Sequence, residues 1–280
     1  MASAGSRAAA ARRLDPDWVR PHSWEQGDGG RAERTVIGNL GSGRHATVDG
    51  RGLVTAWQDG WSLDWWVRAE DRWHLPSRQA AVRQRLVEAT PVVETAMRIP
   101  GGDAVERAYA VAPPMGPGRA AGELVVVEVD NQSPVPVAVA FALRPYHPDG
   151  LAVVHRVTLE DRTVLVDGLP ALFLPRPPAQ MAASTFGAGD VAGPVLAGEA
   201  GHGWPNGLRC RVGLATAAFV FPVPHRTTIR VAVPLSAERR ARRRVSAPLD
   251  VASLPASDAV VRGWVAQTRR GMSVVLPPGR

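Results

Sequence analysis

The 280-residue sequence predicts an all-β fold: a supersandwich of two packed antiparallel sheets, followed by a short C-terminal helical linker. Three observations carry that expectation. Short apolar runs recur from Thr35 to Leu235, separated by Gly, Pro, Asp and Asn. The chain holds 28 Gly and 25 Pro, which suits a fold with many turns. In residues 137–143, Val137, Val139, Phe141 and Leu143 alternate with Ala138, Ala140 and Ala142. One face of that strand is bulky and the other small, yet both are apolar, as for a strand covered on both sides.

Three regions follow in order. Residues 1–34 are rich in Ala, Gly, Arg and Asp without a sustained period, and read as a flexible tail around Trp18 and Trp24. Residues 35–235 form the sandwich, with candidate strands TVIGN, HATVD, GLVTAW, WSLDWWV, PVVETAMRI, AVERAYAV, ELVVVEVD, PVAVAFALR, LAVVHRVTL, TVLV, ALFL, LRCRVGLA, AAFVFPV and TTIRVAVPL. The cluster Asp130–Pro134 is a turn. Residues 236–280 form the linker. Its helix begins with Ser257 at the N-cap, sets Val260, Val261, Trp264 and Val265 near one face, and stops at Gly271.

All 33 basic side chains are Arg, and the net charge is +7. The arginines are scattered, so they read as solubilising groups and not as a nucleic-acid interface. The run Arg239, Arg240, Arg242, Arg243 and Arg244 lacks interleaved aromatics and reads as a solvated linker. The single Cys210 excludes an internal disulfide and reads as a buried thiol. No apolar run approaches a membrane span, and the N-terminal stretch lacks the apolar core of a signal peptide. The expected location is the cytoplasm, with no nucleic-acid or membrane partner. The seven His show no ligand spacing, so neither a metal nor another cofactor is expected. Gly38–Arg44 is rich in Gly like a phosphate loop, but a strand pattern follows it, so it reads as a β-turn.

The richest stretch is Asp59–Pro76, which holds four of the nine Trp. Strand alternation sends Trp61, Leu63, Trp65 and Val67 to one apolar face, read as core. Asp64 and Trp66 fall on the other face, and Trp73 and His74 follow in a loop. A carboxylate beside an indole can grip a sugar ring by hydrogen bond and stacking, so Asp64, Trp66, Trp73 and His74 form the candidate substrate-binding edge. Asp59, Asp64, Glu70 and Asp71 lie too close in sequence, and mostly in turns, to form a glycosidase acid–base pair. No catalytic residue is assigned.

The span VIGNLGSGRHATVDGRGLVTAW, the following WSLDWW, and ELVVVEVDNQSPVPVAVAFALRP resemble the N-terminal sandwich of glycoside hydrolase family 15-type and amylo-α-1,6-glucosidase-like actinobacterial proteins. In that family a β-supersandwich precedes a helical toroid, and the end RGWVAQTRRGMSVVLP is similar to the linker entering it. The resemblance covers about residues 35–280. It implies turn and strand roles for Ile37, Gly38, Asn39, Val48, Asp49 and Gly52. The family's catalytic carboxylates belong to the toroid, which has no counterpart in these residues. The resemblance therefore implies a non-catalytic module of a carbohydrate-active protein, partnered by a toroid encoded separately, on a free or truncated chain. An autonomous α-glucan-binding module and a small glycosidase are the alternatives.

Overall fold

The structure, a computed structural model, describes residues 34–56, 60–70, 72–113, 122–147, 150–203, 207–235 and 249–271. Residues 1–33 of the tail, Trp57, Asp59, Asp71 and the Arg239–Arg244 run therefore lie outside the described residues.

Strands β1 (Arg34–Gly38) and β2 (His45–Asp49) form a hairpin. Its turn contains Gly41 at φ 79°, the left-handed conformation a glycine adopts without strain. Strands β3 (Val54–Thr55), β4 (Ser62–Ala69) and β5 (Arg72–His74) follow. Next come four strands joined as a meander: β6 (Val82–Leu86), β7 (Val92–Ile99), β8 (Gly102–Val111) and β9 (Leu124–Asn131). The chain continues through β10 (Val137–Arg144), β11 (Tyr146–His147), β12 (Gly150–Leu151), β13 (Arg156–Glu160), β14 (Thr163–Val166), β15 (Leu169–Phe173) and β16 (Gln180–Ser184). A short helix α1 (Ala192–Leu196) precedes β17 (Leu208–Arg209), β18 (Thr216–Val223) and β19 (Thr228–Pro234). Helix α2 (Ser257–Thr268) ends the described chain.

Among the described residues the strands form two large antiparallel sheets, with β11 and β12 paired separately. The first runs β1-β2-β3-β4-β10-β18-β16, with β5 paired to β4, and the second runs β17-β13-β14-β15-β19-β9-β8-β7-β6. The all-β sandwich expected from the sequence is the fold observed. Between the sheets, Trp61, Trp65, Val67, Phe141, Phe219 and Phe221 meet Met97, Val125, Val127 and Val231. Each such side chain, taken fully out of water, contributes about 1.5–3 kcal/mol before its ordering cost.

Part of each outer face is also covered. The connection from β16 through α1 packs Val191, Ala192 and Val195 onto Trp66, Ala140, Ala142 and Ala218 of the first sheet. This explains why β10 is apolar on its small face as well as its bulky one. Helix α2 packs Val261 onto Tyr109, Val111 and Val126 of the second sheet, with Val260 and Val265 partly buried beside it.

Several elements differ from the sequence reading. Trp73 and His74 are not in a loop: β5 turns back on β4 with Val67 opposite His74 and Arg68 opposite Trp73. Strands β6 and β16 had no counterpart in the apolar pattern. Each lies at a sheet edge, where few side chains need be apolar. Ser257 is not the cap of α2 but its first residue. Ala256 holds the cap position, and the Ser257 hydroxyl donates to Glu128 Oε1. Cys210 is buried and free, as expected.

Candidate functional site

Strand β4 divides Asp59–Pro76 as its alternation demands. Trp65, Leu63 and Val67 enter the inter-sheet core with Trp61, while Asp64 and Trp66 face the outer side. That outer side is closed. Trp66 is 0 % exposed and Asp64 is 5 % exposed, under the α1 connection.

Asp64 and Trp66 are brought together, but with each other and not with solvent. The Trp66 indole donates to Asp64 Oδ2 at 2.9 Å. Arg144 Nη1, at the end of β10, donates to the same oxygen at 2.8 Å. Its Nη2 reaches Asp190 Oδ2 at 2.9 Å. The guanidinium carbon lies 5.6 Å from the Trp66 ring centroid and 5.8 Å from that of Tyr146, so both rings offer it a π face. The remaining aspartate oxygens also accept: Asp64 Oδ1 from Trp65 N at 2.9 Å, and Asp190 Oδ1 from Ala192 N at 2.8 Å. Burial works against the Arg144 charge, but Asp190 and Asp64 outweigh it and hold its pKa above the ordinary value. Burial, with Asp190, pushes the Tyr146 phenol up to about 12. One guanidinium satisfies two carboxylates, and the arrangement pins α1 to the sheet.

Trp73 shares the Trp66 face and is half-buried against that cluster. His74 takes the Val67 side of the hairpin and is 2 % exposed. Neither ring nitrogen of His74 has a hydrogen-bond partner among the described residues. Burial, aided by Arg72, lowers its pKa below the usual imidazole value. The four candidate residues thus split into a buried Asp64–Trp66 pair, a half-open Trp73, and a His74 turned to the other face.

Arg144 and Asp190 were missed by sequence reasoning. The available signal was a charged residue closing the apolar run of β10, but its partners lie 80 and 46 residues away. Two further acidic clusters were also missed. Glu106 of β8 faces the inter-sheet core at 0 % exposure, and neither carboxyl oxygen makes a hydrogen bond of normal geometry. Its cross-strand partner Thr95 instead accepts from Gln84 Nε2 at 3.0 Å. Burial pushes the Glu106 pKa well above the carboxylate range. Asp49 is raised to about 6 by burial, although Arg51 N and Leu53 N donate to its Oδ1 at 2.8 and 2.9 Å. Gly52 lies between these groups at φ 84°, where an added Cβ would come within 2.6 Å of Trp65 Nε1 and 2.8 Å of Glu106 Oε2.

The second cluster clamps α2. Tyr109 donates to Glu128 Oε2 at 2.9 Å and lies 3.0 Å from Pro255 O, and Arg230 stands 3.5 Å from the same carboxylate. Burial and Glu128 push the Tyr109 pKa up.

Two surface pockets lie apart from these clusters. An apolar groove of about 460 Å³ runs between α2 and the β1–β2 turn, bordered by Leu40, Ala110, Val111, Val260 and Trp264. A polar pocket of about 420 Å³ is lined by His155, Arg156, Asp167, Gly168, Arg209, Cys210 and Arg211. Neither holds a pair of carboxylates. Among the described residues no group of three or more His, Cys, Asp or Glu is placed to hold a metal ion. Among them, too, no helix is long and apolar enough to cross a membrane. In comparisons with known proteins, no protein-family model and no curated protein matches the chain.

Proposed function

We propose that this chain is a non-catalytic β-sandwich module that packs against a helical domain of glycosidase type, of the glucoamylase or debranching class, lying outside these residues. The observation that supports it is how the acids are used. Asp64 and Asp190 share one guanidinium, Glu128 clamps a helix, and Asp49 and Glu106 lie inside the sandwich. A glycosidase needs two carboxyl groups flanking a bond in an open cleft, about 5–9.5 Å apart. These five acids are arranged for architecture. The groove beside Trp264 and Leu40 is the apolar face offered to the helical domain.

The test is association. The purified chain is titrated calorimetrically with an isolated helical domain of the glucoamylase type. Binding that weakens at least tenfold in Trp264→Ala is expected. Hydrolysis of a nitrophenyl glucoside by the chain alone would overturn the reading. The half-buried Trp73 favours a second reading, an autonomous α-glucan-binding module. Heat on adding maltooligosaccharides to the chain alone, lost in Trp73→Ala, would select that reading instead.

A further inference from the structure

Strands β13 and β17 set two arginines directly opposite each other: Arg156 and Arg209 are Cα partners. Their strand neighbours Val157 and Leu208 pack into or against the inter-sheet core, so both arginines emerge on the outer face. Directly opposed side chains start with Cβ atoms about 5 Å apart, and like charges there destabilise a sheet. A third arginine joins them. Cys210 is buried in the core, and Arg211, just past the end of β17, lines the same pocket as Arg156 and Arg209. Among the described residues none of these three guanidiniums has an ion-pair partner.

The carboxylate that lines the same pocket offsets only one of these charges. Asp167 Oδ1 accepts from Arg156 N at 2.7 Å and from His155 N at 3.1 Å, so it serves the strand amides. Three positive charges against one negative leave the pocket with two positive charges in excess.

The loop that presents Arg209 and Arg211 is held in place. Cys210 N donates to His155 O at 2.8 Å, and His155 Nδ1 lies 3.2 Å from Cys210 O. A carbonyl can only accept, so His155 carries its proton on Nδ1. Val154 N donates to Gly213 O at 2.7 Å, which closes the far end of the loop. Gly207, at φ 67°, fits against β13 so closely that a Cβ would meet Thr158 Cγ2 at 2.4 Å. The fastened loop thus holds Arg209 and Arg211 beside Arg156 of β13, with all three side chains exposed.

We propose that this pocket binds the phosphoryl group of a small phosphomonoester, gripped by Arg156, Arg209 and Arg211. A phosphomonoester carries between 1.5 and 2 negative charges near neutrality, about the excess present. Guanidinium forks match its oxygens in bidentate pairs. The 420 Å³ volume exceeds what a phosphoryl group fills and leaves room for a compact organic body. This inference goes beyond the module reading and stands independently of it.

The experiment uses the full chain in phosphate-free buffer at constant ionic strength, with phenyl phosphate, inorganic phosphate and benzoate as calorimetric probes. Phenyl phosphate and inorganic phosphate are expected to bind, and benzoate at least tenfold more weakly. The Kd for phenyl phosphate should rise at least tenfold in R209Q and in R211Q. It should stay within twofold in R78Q, an equal charge change at an exposed arginine outside the pocket. Without ligand, R209Q should melt at or above the wild-type temperature, because repulsion from Arg156 is relieved. Equal binding of benzoate, unchanged affinity in R209Q and R211Q, or an equal loss in R78Q would overturn the assignment. A marked fall in the ligand-free melting temperature of R209Q would also count against it, by making Arg209 a structural residue.

Discussion

Arg144 holds Asp190 at 2.9 Å across 46 residues of chain, and the same guanidinium holds Asp64 at 2.8 Å. Both aspartates and the arginine are almost completely removed from water. Removing one partner of a buried pair leaves an uncompensated charge and costs about 3–5 kcal/mol. Arg144→Ala is therefore expected to lower unfolding stability by that amount in urea titration. It should also speed amide exchange across Val191–Leu196, because the guanidinium ties that connection to the sheet. Exchange that rises everywhere except there would refute the tie.

Trp66 separates packing from hydrogen bonding. Trp66→Phe keeps a ring in the cluster and deletes the donor to Asp64, at an expected cost of about 1–3 kcal/mol. Trp66→Ala adds a cavity among Leu75, Ala140 and Val191, with a loss of about 3–5 kcal/mol. Both losses are read from denaturant midpoints. Near-wild-type stability of Trp66→Ala would mean that the ring is not closed in.

The interior acids give a pH dependence whose sign can be worked out. Asp49 titrates near 6 in the folded chain instead of 3.8, and Glu106 is also raised. The folded state holds these protons longer than the unfolded one, so their contribution is full below about pH 4. It is lost as pH rises through about 6 for Asp49, and further up for Glu106. Glu106→Gln should match wild type near pH 4.5 and exceed its melting temperature increasingly toward pH 8. A melting difference that does not change with pH would contradict a buried, raised Glu106.

Helix α2 depends on the Glu128 clamp. Tyr109→Phe removes a donor to a charged acceptor, a change worth about 1.5–3 kcal/mol. Its sharpest effect should be local: amides of Ala259–Thr268 are expected to exchange faster than those of β8 and β9. Uniform acceleration over the whole sandwich would show that α2 does not open separately.

The pattern of β10 already announced a strand buried on both sides, because a run apolar at every position admits little else. The alternation in β4 likewise placed Trp61, Trp65 and Val67 in the core. Strands β5, β6 and β16 were not legible. A short hairpin return such as Arg72–His74, or an edge such as VRQRL, needs no apolar face of its own. Asp64 beside Trp66 read as a sugar-facing pair, since a period of two says only that they share a face. It carries no information about what lies above that face.

Composition and periodicity therefore determined the class of fold, the core faces of β4 and β10, the turn at Gly41 and a terminal helix carrying Val260, Val261 and Trp264. These are local properties, set by side-chain alternation and by residues that tolerate turns. Tertiary structure alone decided that Asp64 meets Arg144 and Asp190, that Ser257 serves Glu128, and that Arg156 faces Arg209. Each of those contacts joins segments far apart in sequence, and its energy exists only once packing removes the water that would otherwise solvate the charges.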